Sequence, residues 1–307
     1  MANNWLEYVV TAEDAGMTVE QIIRGKLAVS GRMLQRLTRS KGIQLNRKPP
    51  FLGRQVKEGD RVSVRIAERT PSAKETTAQP SARLAALDIL FEDEFYLIVN
   101  KRAGMMTHPI NKEQTETLVD VVRLYLQGKG ETGAVHPVHR LDKQTSGAVL
   151  LAKNSYAHQL ADRALRNKDI RREYLAVLSG HLSEESGTIA APIGRDHSHP
   201  TKRRVVKQGE PAVTHFQVVA RSEQFTLVRI ELETGRTHQI RVHFQHLGYP
   251  LLGDTLYGGE KGLSHQALHA IALSFIHPVH KQEVSVEAAL PKDLAEFLAR
   301  TFPSHTR

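Results

Sequence analysis

The chain has no cysteine in its 307 residues. Disulfides, thiolate nucleophiles and cysteine-based zinc sites are therefore excluded. No apolar run reaches the roughly 18 residues that would suggest a membrane-spanning helix. The start, Met1-Ala2-Asn3-Asn4-Trp5, has neither the basic segment nor the apolar stretch of a secretory signal. A P-loop, a Gly-x-Gly-x-x-Gly loop and an Asp-Phe-Gly segment are all missing, so no nucleotide and no other cofactor is implied. Histidine is plentiful at 16 residues, with close groups at His197/His199, His238/His243/His246 and His277/His280. None forms a His-Glu-x-x-His pattern or sits beside a set of carboxylate ligands, which argues against a catalytic metal. A soluble, cytoplasmic protein is the expectation.

What is present is a basic chain whose charge is uneven. Lys and Arg number 42 against 33 Asp and Glu, a formal net charge of +9. Such an excess favours a polyanionic partner. Between Gln21 and Arg69 there are 13 basic residues and three acids, so this segment alone carries +10. Thr18 and Gln21 have the spacing of a capping box at a helix start. Ser30 can cap a second helix, with Met33, Leu34 and Leu37 on one face and Arg32, Arg36 and Arg39 on another. A short strand at Gly42–Asn46 and a turn-strand unit at Val56–Ile66 complete a small α+β unit. Thr70–Ala82 has almost no large apolar side chains and two prolines, the composition of a linker. The expected organisation is a small basic domain over 1–69, a linker over 70–86 and a larger domain over 87–307.

The larger domain opens with two apolar runs around an acidic turn, Leu87 to Lys101, a hairpin signal. Leu118–Leu126 and Tyr156–Arg166 have helical spacing. Strand-like segments recur at Ala148–Ala152, Glu173–Leu178, Phe216–Val219, Thr226–Leu232, Gln239–Phe244 and Val284–Ala288. Strands outnumber helices and do not alternate with them, which predicts an α+β domain with a large, mainly antiparallel sheet and flanking helices. Asp142 stands out within His139-Arg140-Leu141-Asp142-Lys143-Gln144-Thr145-Ser146-Gly147, a carboxylate beside an arginine in a small-residue turn. Such a group can act as a nucleophile or a base.

That segment resembles the signature of RluA-type pseudouridine synthases. Further matching segments follow the family's order: Val99-Asn100-Lys101-Arg102-Ala103-Gly104 with Thr107-His108-Pro109, Arg172-Glu173-Tyr174, Thr234 to His243, Leu252-Gly253-Asp254 with Tyr257-Gly258, Leu268-His269-Ala270, and His277-Pro278. The likeness covers about residues 87–290. Arg102 stands where the family commonly has proline. The small domain, with its helix from Ser30, Gly42–Asn46 and Gly59-Asp60, resembles an αL-type RNA-binding domain shared by a ribosomal protein and several RNA-modifying enzymes.

The resemblance implies an isomerase that converts uridine in RNA to pseudouridine by detaching, turning and rejoining the uracil through a carbon–carbon bond. Reaching a stacked base requires flipping it into a pocket, at a cost of a few kcal/mol. Asp142 is then the catalytic carboxylate, as nucleophile or as base. Arg241 is the cation beside it, Tyr174 stacks on the flipped uracil and can relay a proton, and Arg140 fills the space the base vacates. Lys101, the helix arginines Arg32, Arg36 and Arg39, and Lys202-Arg203-Arg204 in a mobile loop over the cleft are expected to hold RNA. Asp254 and His269 are expected to be structural. Large-subunit ribosomal RNA is the expected partner, transfer RNA the alternative, with no membrane partner and a monomeric state.

Overall fold

Tyr96–Lys101 and Ser146–Ala152 are buried almost end to end. Strands this apolar on both faces belong in the interior of a sheet covered on both sides. A computed structural model, describing residues 5–66, 87–109, 116–131 and 133–303, places them there. The expected linker, 70–86, lies outside the described residues.

The small N-terminal module contains β1 (Trp5–Val9), α1 (Val19–Gly25), α2 (Gly31–Arg39), β2 (Ile43–Leu45) and β3 (Arg61–Arg65). Its strands form an antiparallel sheet in the order β1-β3-β2. The Thr18/Gln21 capping box starts α1, and Ser30 Oγ accepts from Met33 N at the start of α2. Met33, Leu34 and Leu37 are buried, whereas Arg32, Arg36 and Arg39 are exposed.

The larger unit runs β4 (Ile89–Glu92), β5 (Tyr96–Lys101), α3 (Leu118–Gly128), β6 (His136–Pro137), β7 (Ser146–Ala152), α4 (Ser155–Arg166), β8 (Ile170–Ser179), β9 (Ser186–Ala190), β10 (Ile193–Arg195) and β11 (Arg203–Val205). It continues with β12 (Val213–Arg221), β13 (Phe225–Leu232), α5 (Gln239–His246), β14 (Leu268–Ile276), β15 (Glu283–Glu287) and α6 (Lys292–Thr301). Ten strands form one sheet with the path β4-β5-β7-β14-β8-β13-β12-β9, extended by β15 on β14 and β6 on β7. Among the described residues only β7 and β14 pair in parallel. The α+β architecture and the mainly antiparallel sheet agree with the sequence reading.

Two local expectations fail. Gln239–Phe244 forms helix α5, not a strand. A strand-like pattern here carries no inside–outside information, because all six residues are buried. Ile240 and Phe244 sit at i,i+4, a helical pair that a short window cannot distinguish from a strand pattern. The segment Arg195–Arg204, expected as an irregular loop, begins and ends in the paired strands β10 and β11.

No helix among the described residues is long and apolar enough to cross a membrane. One apolar cluster runs without a break from Ile22, Ile23 and Val64 of the small module to Tyr156 and Leu160 of α4 and Ile98 of β5. A second cluster joins α3, α5 and the middle strands beneath the cleft, including Tyr174, Ile230, Ile240 and Phe244.

Candidate active site

The turn bearing Asp142 is held by its neighbours' backbones. Thr107 Oγ1 accepts from Leu141 N (3.3 Å) and donates to Leu141 O (3.0 Å). Lys143 O accepts from Gly104 N (2.8 Å) and from Lys101 Nζ (3.3 Å). Thr145 N closes the turn on Asp142 O at 3.1 Å, and Thr145 Oγ1 accepts from Gln266 Nε2 at 2.8 Å. Ser146 Oγ meets His269 Nδ1 at 2.8 Å. Gly147 has φ +113°, and a Cβ there would lie 2.3 Å from Ala270 O. The parallel pairing of β7 with β14 at this point therefore requires glycine. The Asp142 side chain projects from this braced turn into the cleft.

Arg241 reaches it from α5. Arg241 donates through one guanidinium nitrogen to Asp142 Oδ2 at 2.9 Å. Its Nε and other terminal nitrogen fork onto Asp254 at 2.7 and 2.9 Å. The guanidinium also lies over the Tyr257 ring, 4.9 Å from its centre. Burial alone would lower the Arg241 pKa, but the two carboxylates outweigh it and hold the pKa above the ordinary arginine value. The planar fork engages Asp254 with two nitrogens and offers a third to Asp142, which a lysine ammonium could not reproduce.

His238 precedes α5 in a left-handed conformation, φ 60°. That conformation is unusual for a non-glycine residue. Its Nδ1 meets Tyr257 Oη at 2.8 Å and its Nε2 lies 3.8 Å from Asp142 Oδ2. Burial lowers the His238 pKa below the usual histidine value, with Asp142 opposing. Tyr257 Oη also accepts from Arg203 N at 2.9 Å, tying the β10–β11 hairpin to the site.

Asp142, His238 and Arg241 line a cavity of about 830 Å³ whose wall includes Tyr174. Tyr174 sits on β8 with 4% of its surface exposed, and burial raises its pKa, so the phenol keeps its proton at neutral pH. Arg140 is exposed at the cavity rim. Arg172, two residues before Tyr174, also lines the cavity and is buried; its Nε has no hydrogen-bond acceptor among the described residues. His139 in the motif is not free for chemistry. Its Nε2 accepts from Leu150 N, and burial pushes its pKa down to about 3.

The structure thus brings Asp142, Tyr174, Arg241 and Arg140 together. Lys101 is a correction. Only 1% of it is exposed, and its ammonium donates to the carbonyls of Arg102, Met105 and Lys143. Burial pulls its pKa down to about 7. An ammonium buried against three carbonyls is unavailable to a phosphate, and its work is to brace the Asp142 turn. Arg32, Arg36 and Arg39 lie on the separate face of α2, and Lys202, Arg203 and Arg204 on the β11 side of its hairpin. His269, with both ring nitrogens engaged by Ser146 and Ala288, is structural as expected. Asp254 is more than a turn residue, because it sets the orientation of Arg241. His238, Tyr257 and Arg172 were not singled out from sequence, although each lies inside a family segment or beside Tyr174.

Among the described residues, the group with metal-ligand spacing is Asp93, His277 and His280. There His277 Nδ1 accepts from Val279 N and His280 N at 3.2 and 2.8 Å. That leaves the ring proton on Nε2, 2.9 Å from Asp93 Oδ2, so the group is spanned by a protonated nitrogen instead of a vacant ligand.

Residues 95–246 match the family model described as RNA pseudouridylate synthase. The chain is 42% identical over 300 residues to the RNA pseudouridine synthase YhcT of Bacillus subtilis, covering 97% of both chains. It is 35% identical to ribosomal large subunit pseudouridine synthase D of Nitrosomonas europaea, over 96% of this chain and 87% of that one. Among solved structures, human RNA pseudouridylate synthase domain containing 1 superposes with a TM-score of 0.55 at 28% identity, over 69% of this chain and 86% of that one. An arginine-paired aspartate in an open cleft, on a chain this similar to these relatives, has one reading: the chain belongs to the RNA pseudouridylate synthase family, as an RluA-type isomerase acting on RNA.

Proposed function

We propose that Asp142 is the catalytic carboxylate and that the substrate is a uridine of large-subunit ribosomal RNA. The observation that carries the first part is the 2.9 Å contact between Arg241 and Asp142 Oδ2 at the wall of the cavity that Tyr174 lines. In the reaction the glycosidic carbon–nitrogen bond breaks and a carbon–carbon bond forms at the turned ring. The ring carbon loses its proton to a base and the freed nitrogen gains one. Atoms and electrons balance within the RNA, so no redox partner is called for. Asp142 attacks as a nucleophile or removes a ribose proton, and the geometry serves both.

Arg241 supplies a fixed positive charge and orients the carboxylate, while its fork on Asp254 prevents it from swinging away. Tyr174 stacks on the flipped uracil, and its protonated hydroxyl can relay a proton. Arg140, at the rim, fills the gap left in the RNA stack, and Arg172 offers a buried donor to the substrate. Arg32, Arg36 and Arg39 on α2, and Lys202, Arg203 and Arg204 on the hairpin, hold the phosphate backbone. The ribosomal substrate is supported by the relatives named ribosomal large subunit pseudouridine synthase D. The small module (residues 1–69), the linker (70–86) and the catalytic unit (87–307) act together on it, as a monomer in the cytoplasm.

The test is Asp142→Asn. Pseudouridine formation should fall to background while RNA binding persists. Formation at the wild-type rate would overturn the assignment. Pseudouridine maps of ribosomal and transfer RNA from cells with and without the gene identify the substrate; a change confined to transfer RNA would refute the ribosomal assignment.

A further inference from the structure

The small module does not merely trail on a linker. Tyr156 Oη on α4 donates to Leu27 O at 2.9 Å, and Gln159 accepts from Ser30 N at 2.9 Å while its amide nitrogen reaches Ala28 O at 3.3 Å. Arg36 of α2 donates to Ser155 Oγ at the start of α4. Ala28 is held at φ 53°, a left-handed conformation that costs an alanine energy, and its carbonyl accepts from Gln159 and Arg163 of α4. With the apolar cluster continuous beneath it, this is a specific seam between two packed bodies.

Above the seam, α2 and α4 enclose a groove of about 1130 Å³. Arg32, Arg36 and Arg39 line it from α2, and Arg163 and Arg166 from α4. The one acid in its lining is Asp162, which pairs with Arg166. Five arginines facing one carboxylate make a strongly positive channel that suits a run of phosphates. Arg166 also lines the cavity that holds Asp142, so the groove and the catalytic cleft are contiguous.

We infer that this groove is a composite RNA-binding site, in which α4 of the catalytic unit and α2 of the small module grip the same stretch of sugar–phosphate backbone flanking the target uridine. The proposal rests on the reading of the cleft as an RNA active site. It adds that Arg163 and Arg166 carry RNA affinity, and that the small module works from a fixed position. Removing residues 1–69 would strip the cover from Tyr156 and Leu160, so point changes are the cleaner probe.

The test uses the full chain carrying Asp142→Asn, so that binding is read without turnover, with an in vitro transcript of large-subunit ribosomal RNA as the probe. Arg39→Glu and Arg163→Glu should each weaken binding on the order of tenfold and lower the salt dependence of log K by about one. Together they should weaken it by less than the product, because they hold one strand. Asp162→Asn should tighten binding severalfold, a gain that misfolding cannot mimic. With Asp142 restored, Arg163→Glu should raise KM and leave kcat at saturating RNA within about twofold. An effect of Arg39→Glu without one of Arg163→Glu would overturn the composite site, since α2 would then act alone. Unchanged binding in Asp162→Asn and in both glutamate variants would also overturn it, leaving a solvated basic face. Failure of the catalytic reading would show separately, as pseudouridine still formed by Asp142→Asn alone.

Discussion

Arg241 and the arginines of α2 are the same residue type put to opposite uses. Arg241 is 7% exposed in its side chain and spends its nitrogens on Asp142 and Asp254, with an aromatic ring beneath it. Arg32 and Arg39 stand in solvent on a helix whose other face is packed. A buried arginine can be tolerated only with its partners in place, so it fixes geometry. An exposed arginine contributes charge at almost no structural cost, so it adds affinity that salt can screen. Under the proposed function, position comes from the first kind, and hold on a polyanion from the second.

That contrast can be broken at Asp254. Asp254→Ala leaves the buried Arg241 guanidinium without its fork and should cost about 3–5 kcal/mol of stability. Pseudouridine formation should drop on the order of 10²-fold, because an active group displaced by about 1 Å can lose that much. A variant with ordinary turnover in a single-turnover assay would show that Arg241 does not need to be held. Gly147→Ala probes the same rigidity through the backbone. The added Cβ meets the Ala270 peptide, so the β7–β14 pairing must yield and stability should fall by about 3 kcal/mol in urea denaturation. An unchanged midpoint would mean that the turn is looser than its hydrogen bonds imply.

On the exposed side, Arg32→Ala should leave stability within about 0.5 kcal/mol and weaken RNA binding severalfold at low salt, with the loss shrinking as salt rises. A loss of folding would refute the claim that these arginines are structurally cheap. The smallest effect concerns pH and the small module. Asp14 accepts from Lys26, Tyr8 and Thr11, and these contacts, Lys26 first, hold its pKa down at about 2. A carboxylate with a depressed folded-state pKa stabilises the fold above its ordinary pKa of 3.8 and loses that contribution as pH falls through about 2. Asp14→Asn should therefore flatten the stability slope between those values. The single tryptophan, Trp5 on β1, gives a fluorescence readout within the same module. An unaltered acid slope would contradict the assignment.

Much of this was legible without coordinates. The capping pairs Thr18/Gln21 and Ser30, the amphipathic α2, the β4–β5 hairpin and the helices after Thr117 and Asn154 rest on local rules that act within a few residues. The Asp142 segment was identifiable because its chemistry is contiguous in the chain. Helix α5 was misread because uniform burial erases the alternation from which a strand is inferred. Lys101 was misread because a lysine's charge suggests solvent and anions, and nothing local shows three carbonyls converging on it.

The sequence by itself determined the family, the mainly antiparallel α+β class, the basic N-terminal helix and the motif that carries Asp142. Only the tertiary structure decided that Asp254 holds Arg241 against Asp142, that Tyr257 supports Arg241 and His238, and that α2 and α4 face one another across a shared groove. The reason is the range of the forces involved. Caps, turns and periodicity act between near neighbours in the chain. The Arg241–Asp142 pair spans 99 residues and the Tyr156–Leu27 seam spans 129, and contacts that distant exist only once the sheet has brought their elements together.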